Sequence, residues 1–170
     1  MELLRGIFDR FVLLATFLLA GCVPAFIAQY RQRLGGALDQ LTKDLTPFRE
    51  IAKQLHGGKI DKLIEHHQLS ADPTFQAEGN AIATMMRSLE RLRASVEALD
   101  TDLIHQILAL VKRGDPHIAK AAWSAYEPAF SFSAEGMLFA GGVAFVAWLL
   151  FMLSWWMFFA MLGWVQRMRA

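Results

Sequence analysis

Chemistry in this chain could come from few places. Glu65-His66-His67 is the one local run that gathers metal-ligating residue types. Neighbouring helical positions project about 100° apart, so two adjacent imidazoles do not share an ion easily. A solvated surface pair is the expectation. His56, His105 and His117 stand alone. The single cysteine, Cys22, excludes an intramolecular disulfide and a cysteine-based zinc site. It closes Leu19-Ala20-Gly21-Cys22, a pattern that also reads as a lipidation and cleavage signal. The chain stays apolar beyond it, from Val23 to Ala28, where a lipoprotein would start a polar tether. Glu2 and Asp9 dilute the positive start that such a signal needs. Cys22 is therefore expected inside a retained helix. No glycine-rich phosphate loop follows a strand, and no nucleophile elbow is present. No catalytic, cofactor-binding or metal-binding residue is expected, and the chain reads as a non-enzyme with no cofactor. Trp123, Tyr126 and Phe130 read as an aromatic collar at a membrane interface.

The elements that would position these residues follow from composition. The chain is 55% hydrophobic, with the excess gathered at its ends. Residues 11–28 and 136–166 carry no charge. A span needs about 20 apolar residues, so the second run qualifies easily and the first sits near the lower limit. Neither run holds the ionisable residues that transporters and proton relays use. Residues 29–135 carry 13 Lys+Arg and 14 Asp+Glu. That near-neutral segment shows no basic stripe, so no nucleic-acid partner is expected. Arg5, Arg10, Arg167 and Arg169 lie outside the two runs and favour cytoplasmic ends. Residues 1–10 then form a cytoplasmic or interfacial start, 11–28 the first transmembrane helix and 29–135 a periplasmic helical domain. Residues 136–163 form the second transmembrane helix and 164–170 a basic cytoplasmic tail. The location is a bacterial inner membrane, and membrane lipids are partners.

The middle segment has helical period. Leu34, Leu38, Leu41, Leu45, Phe48, Ala52 and Leu55 recur in steps of four and three, a heptad stripe. Pro47 predicts a kink, or two helices abutting at Thr46-Pro47. His56-Gly57-Gly58 ends the stripe. A short helix over 59–68 follows, then Asp72-Pro73 opens another. The second stripe runs Ile82, Met85, Leu89, Leu92, Val96, Leu99, Leu103, Ile107, Leu110. Arg113-Gly114-Asp115-Pro116 stops it, and a last helix covers about 117–126. The fold class is thus an all-α membrane protein. Two transmembrane helices flank an antiparallel helical hairpin of coiled-coil type, with Leu38, Leu41, Leu45, Leu89, Leu92 and Val96 in its core. Gly21, Ala25 and Ala28 on the first run, and Gly136, Ala140, Ala144 and Ala147 on the second, form small-residue ridges suited to span packing. Trp148, Phe151, Trp155 and Trp156 are expected to face partners or lipid, and some of the bulky residues from Trp148 through Phe158 and Phe159 to Trp164 are expected in an interfacial aromatic belt.

Val23–Leu41 (VPAFIAQYRQRLGGALDQL) carries Pro24, Phe26, Tyr30, Arg33 and Leu34 in a distinctive order. Asp72-Pro73-x-Phe75 and Ala121–Gly136 (AAWSAYEPAFSFSAEG) continue it. Together they resemble the two-span proteobacterial family catalogued as domain of unknown function 2937. The resemblance covers nearly the whole chain. It implies a bacterial inner-membrane protein and supplies no activity. Cys22 and Pro47 lie outside the family pattern.

The leading functional reading is a non-enzymatic accessory or scaffold subunit of a larger inner-membrane complex. It would contribute two spans and a periplasmic hairpin. A self-associating protein resembling chain-length regulators of polysaccharide export is the second reading. A sensor input module that signals through a partner is the third.

Overall fold

The computed structural model describes residues 2–168, with side chains described between Arg5 and Met161. Arg169 and Ala170, and the side chains of Trp164 and Arg167, lie outside the described residues. Six helices follow in order: α1 (Glu2–Leu55), α2 (Ile60–Gln68), α3 (Pro73–Glu97), α4 (Leu103–Arg113), α5 (Pro116–Ser124) and α6 (Ala134–Met168). No strand occurs among the described residues. Helices α1 and α6 are each long and apolar enough to cross a membrane. The chain divides into two compact units, one of residues 1–27 with 126–170 and the other of 28–125. The second border falls before the loop 126–133, about ten residues earlier than hydropathy alone suggests.

In the unit of residues 28–125, the two stripes bury each other. Leu45, Ile64, Ile82 and Leu89 form a core, with Leu38, Leu41, Phe48, Ile60, Met85 and Met86 packed against it. Leu34 lines a groove with Val96 and Leu99. Lower numbers on α1 therefore meet higher numbers on α3, which makes the two helices antiparallel. Leu92 and Val96 are half-buried. Helix α2 covers one end through Leu63 and Ile64. Its contact with α3 is close at Gly79, where a Cβ would come within 2.9 Å of the His67 Cβ. The α1–α2 turn uses Gly57 and Gly58 at φ 60° and 79°, a region that costs other residues energy.

Two sequence expectations change here. Helix α1 passes through Pro47 without a break, which removes the abutting pair and leaves the single-helix alternative. Pro47 removes the N–H that would bond to the Lys43 carbonyl, but both residues are exposed and water can satisfy that carbonyl. Thr46 does not cap a new helix; its hydroxyl donates to the Thr42 carbonyl at 3.0 Å. Conversely, the second stripe is not one helix. It breaks after Glu97 and restarts at Leu103. The Asp102 carboxylate accepts from the backbone N–H of Ile104 and His105 and starts a new helix.

This cap has a pH signature. The hydrogen bond from the His105 ring, then those from the backbone, hold the Asp102 carboxyl below its ordinary value. The folded state therefore favours the carboxylate. Its contribution is present above the ordinary pKa and is lost as pH falls through the lowered one. An Asp102→Ala variant should melt below the wild-type chain near neutrality, with the gap closing only as pH falls below the ordinary carboxylate range. A gap that stays constant from neutral to acid pH in thermal scans would contradict this origin.

Candidate functional site

The residues singled out by the sequence gather at two places on α1, one in each unit. In the unit of residues 28–125, the Tyr30 side chain is 1% exposed. It borders a small cleft of about 70 Å³ with Ala94, Ala98, Leu99, Leu110 and Gly114. The backbone N–H of Asp115 donates to the Tyr30 hydroxyl at 2.9 Å. One residue back on α1, the Gln29 side-chain amide donates to the Ala125 carbonyl at 2.8 Å. Asp115 is the N-cap of α5 and Ala125 its C-cap. Adjacent residues of α1 therefore hold both ends of α5. Asp115 also caps α5 through its carboxylate, with Pro116 in the first turn. Burial pushes the Tyr30 hydroxyl above its ordinary pKa; the Asp115 N–H opposes this, and the Asp115 charge adds to it.

In the unit of residues 1–27 and 126–170, the loop after Ala125 lies along α1 around Pro24. Pro24 has no N–H, so the Ala20 carbonyl loses its helical donor. The next two carbonyls receive donors from the loop. Ser131 N–H donates to the Gly21 carbonyl at 2.9 Å, and the Tyr126 hydroxyl donates to that of Cys22 at 2.6 Å. Tyr126 meets Phe26 edge-on at 5.5 Å. Phe130 packs between Phe17 at 5.2 Å and Phe132 at 5.0 Å. Its ring occupies the space a Cβ at Gly21 would need. Burial is the main cause that raises the Tyr126 hydroxyl's pKa.

The other expected residues fall as follows. Ala20, Gly21 and Ile27 are buried and Ala25 half-buried, whereas Ala28 is exposed and lines the α1–α3 groove. Gly136, Ala140 and Ala144 are buried. The space at Gly136 is filled by Ser131 and Ser133 of the loop. Trp148, Phe151 and Trp155 continue that same face of α6 and are half-buried, while Trp156 and Phe158 are exposed. Gly21 thus serves the Phe130 ring. A uniformly apolar helix gives no periodic signal, which is why its inward aromatic residues could not be separated from the outward ones.

The histidines remain scattered in chemistry. His67 Nδ1 lies 2.9 Å from the Leu63 carbonyl, so that nitrogen carries the proton. Its Nε2 stands 3.8 Å from Glu78. The His56 and His66 rings approach to 5.4 Å, a pairing sequence spacing did not reveal. Among the described residues no three His, Cys, Asp or Glu side chains could hold a metal ion together. The polar contacts at both places on α1 satisfy backbone groups and position loops.

These observations define an all-helical chain whose first and last helices are long and apolar, with the connecting segments tied to the first helix beside its proline and its tyrosine. The chain belongs to the family described as Protein of unknown function (DUF2937), whose sequence model matches residues 4–167. No curated protein and no solved structure matches it.

Proposed function

We propose that the chain is a non-enzymatic accessory or scaffold subunit of a bacterial inner-membrane complex. Helices α1 and α6 supply two spans, both termini lie in the cytoplasm, and residues 29–135 stand in the periplasm. The observation that carries this reading is the apolar corner around α2. Leu55 is 75% exposed and Leu69 78%, and Ile51 and Phe75 are exposed beside them in sequence. Leu55 lies 25 residues beyond Tyr30 on one continuous helix, about 38 Å along its axis. Lipid does not reach that far from the end of the uncharged run, so a protein surface is the natural cover.

The second reading, self-association, draws support from the same corner. The heptad stripes support it less, because Leu34, Leu45, Ala52, Ile82 and Leu89 are already buried within one chain. A photoreactive residue at position 69, activated in intact cells, separates the readings. An adduct with one other membrane protein, lost in a Leu55→Asp/Leu69→Asp chain of unchanged helicity, is expected. Adducts at twice the chain mass would favour self-association. No adduct at either mass would overturn both.

A further inference from the structure

We infer that His56 and His66 form a two-point site for a divalent metal ion of tetrahedral preference, zinc above all, that clamps the end of α1 to α2. The juxtaposition is made by the fold. The Gly57-Gly58 turn leads α2 back beside the end of α1, and the two rings approach to 5.4 Å between centroids. The backbone under each ring is held. The His56 and Gly58 N–H groups both donate to the Ala52 carbonyl, at 2.8 and 2.9 Å, and Ala52 is fully buried. On α2, Leu63 and Ile64 are buried, and Gly79 of α3 fits closely against His67. The two imidazoles therefore hang from backbone that the fold already fixes, so an ion has little left to order.

The spacing suits one ion. A zinc–nitrogen bond of about 2.0–2.1 Å puts each ring centroid about 3.2 Å from the metal, so two rings at a tetrahedral angle stand about 5.2 Å apart. A right angle, as in square-planar or octahedral sites, would bring them to about 4.5 Å. The observed 5.4 Å lies close to the first value. The nitrogens are available. Among the described residues neither ring makes a hydrogen bond or an ion pair, unlike those of His67 and His105. A half-turn about χ2 exchanges Nε2 with Cε1 and Nδ1 with Cδ2, so each ring can turn a nitrogen to the shared space while its backbone stays still. His56 is half-buried and His66 exposed, which leaves the ion a path from solvent. The adjacent His67 is committed elsewhere, through Nδ1 to the Leu63 carbonyl. Between residues 53 and 66, Lys53, Lys59 and Lys62 outnumber Asp61 and Glu65, and all five are exposed. That balance disfavours magnesium and calcium, which bind through oxygen and charge. Neutral imidazole nitrogen is what remains to attract a metal, and it suits zinc. Two protein ligands are fewer than the four of a closed zinc site, so water fills the other positions and the ion exchanges with solution.

The test uses the tag-free full chain in mild detergent, stripped of metal by a chelator and titrated with zinc chloride in a calorimeter. A single saturable site is expected. His56→Gln and His66→Gln each turn a two-point contact into a one-point contact. Each should weaken binding by about tenfold or more at unchanged helicity. His117→Gln, a histidine that stands alone, should bind zinc as the wild-type chain does. Magnesium at the same concentration should not compete. Zinc should also raise the melting temperature of the wild-type chain and leave both site variants unmoved, since an ion that binds only the folded pair stabilises it. Wild-type affinity in either site variant, no saturable uptake by the wild-type chain, or displacement by magnesium would each overturn the proposal. Zinc uptake with an unmoved melting temperature would put the ion on the unfolded chain as much as on the folded one, and would overturn the clamp.

Discussion

Replacing Tyr30 with alanine is expected to lower the unfolding free energy of the chain by about 3–5 kcal/mol, the cost of deleting a buried aromatic ring. The ring is almost fully buried, and its hydroxyl accepts the Asp115 N–H. Both the core at the α3–α4 break and the seat of α5 depend on it. A Tyr30→Phe chain separates the two contributions. The ring stays, the Asp115 N–H loses its acceptor, and about 1–3 kcal/mol should be lost. Alkaline titration gives an independent readout. Because burial raises the Tyr30 pKa, the folded state keeps its proton longer than the unfolded state. Stability from this group is full below the ordinary pKa of about 10 and is lost as pH rises through the raised value. The chain has two tyrosines, so ultraviolet titration of Tyr30→Phe leaves Tyr126 as the remaining signal. If Tyr30→Phe and the wild-type chain unfold alike in denaturant and titrate alike, the buried hydroxyl contributes nothing.

The second large effect is expected at Gly21. An added methyl group would overlap the Phe130 ring, so Gly21→Ala must expel that ring or move α1. Overpacking of this kind costs about 1–3 kcal/mol, and loss of the Ser131 hydrogen bond to the Gly21 carbonyl adds to it. The neighbours Phe17 and Phe132 would lose their ring contacts together. Unfolding in mixed micelles by a denaturing detergent provides the measurement. The informative comparison is the double variant Gly21→Ala/Phe130→Ala. Once the ring is gone, the methyl group has room, so the two costs should fall well short of their sum. Strict additivity would mean that the ring and the glycine do not share one space.

Much of the helical segment was legible in the sequence. Stripes in steps of three and four located α1 and α3, and Asp72-Pro73 placed the start of α3 at the observed cap. The break before α4 was hidden because Leu99 and Leu103 are four apart, a legal heptad step, while Asp102 offered only a single capping residue against that rhythm. Pro47 offered a kink or a boundary, and only the boundary is absent. A solvent-facing proline leaves its orphan carbonyl to water, so the helix continues. The family-pattern residues Pro24, Phe26, Tyr30 and Tyr126 could be picked out in order, but not their tasks. Those depend on hydrogen bonds spanning 85 residues from Asp115 to Tyr30 and 104 from Tyr126 to Cys22, and no local periodicity encodes contacts at that range. Among the small residues of α1, Gly21 receives a loop ring and Ala28 is exposed.

The loop that covers α1 around Pro24 has a consequence for how the protein is made. Its donors, Tyr126 and Ser131, are synthesised more than a hundred residues after the carbonyls they reach. At about 5–20 residues per second, the ribosome delivers them roughly 5–20 s after Cys22 has left it. During that interval the first helix is complete in sequence but lacks the loop's donors at the Gly21 and Cys22 carbonyls. The nascent chain therefore carries a built-in waiting period, and a truncation ending anywhere before residue 126 would leave the first helix permanently in that unfinished state.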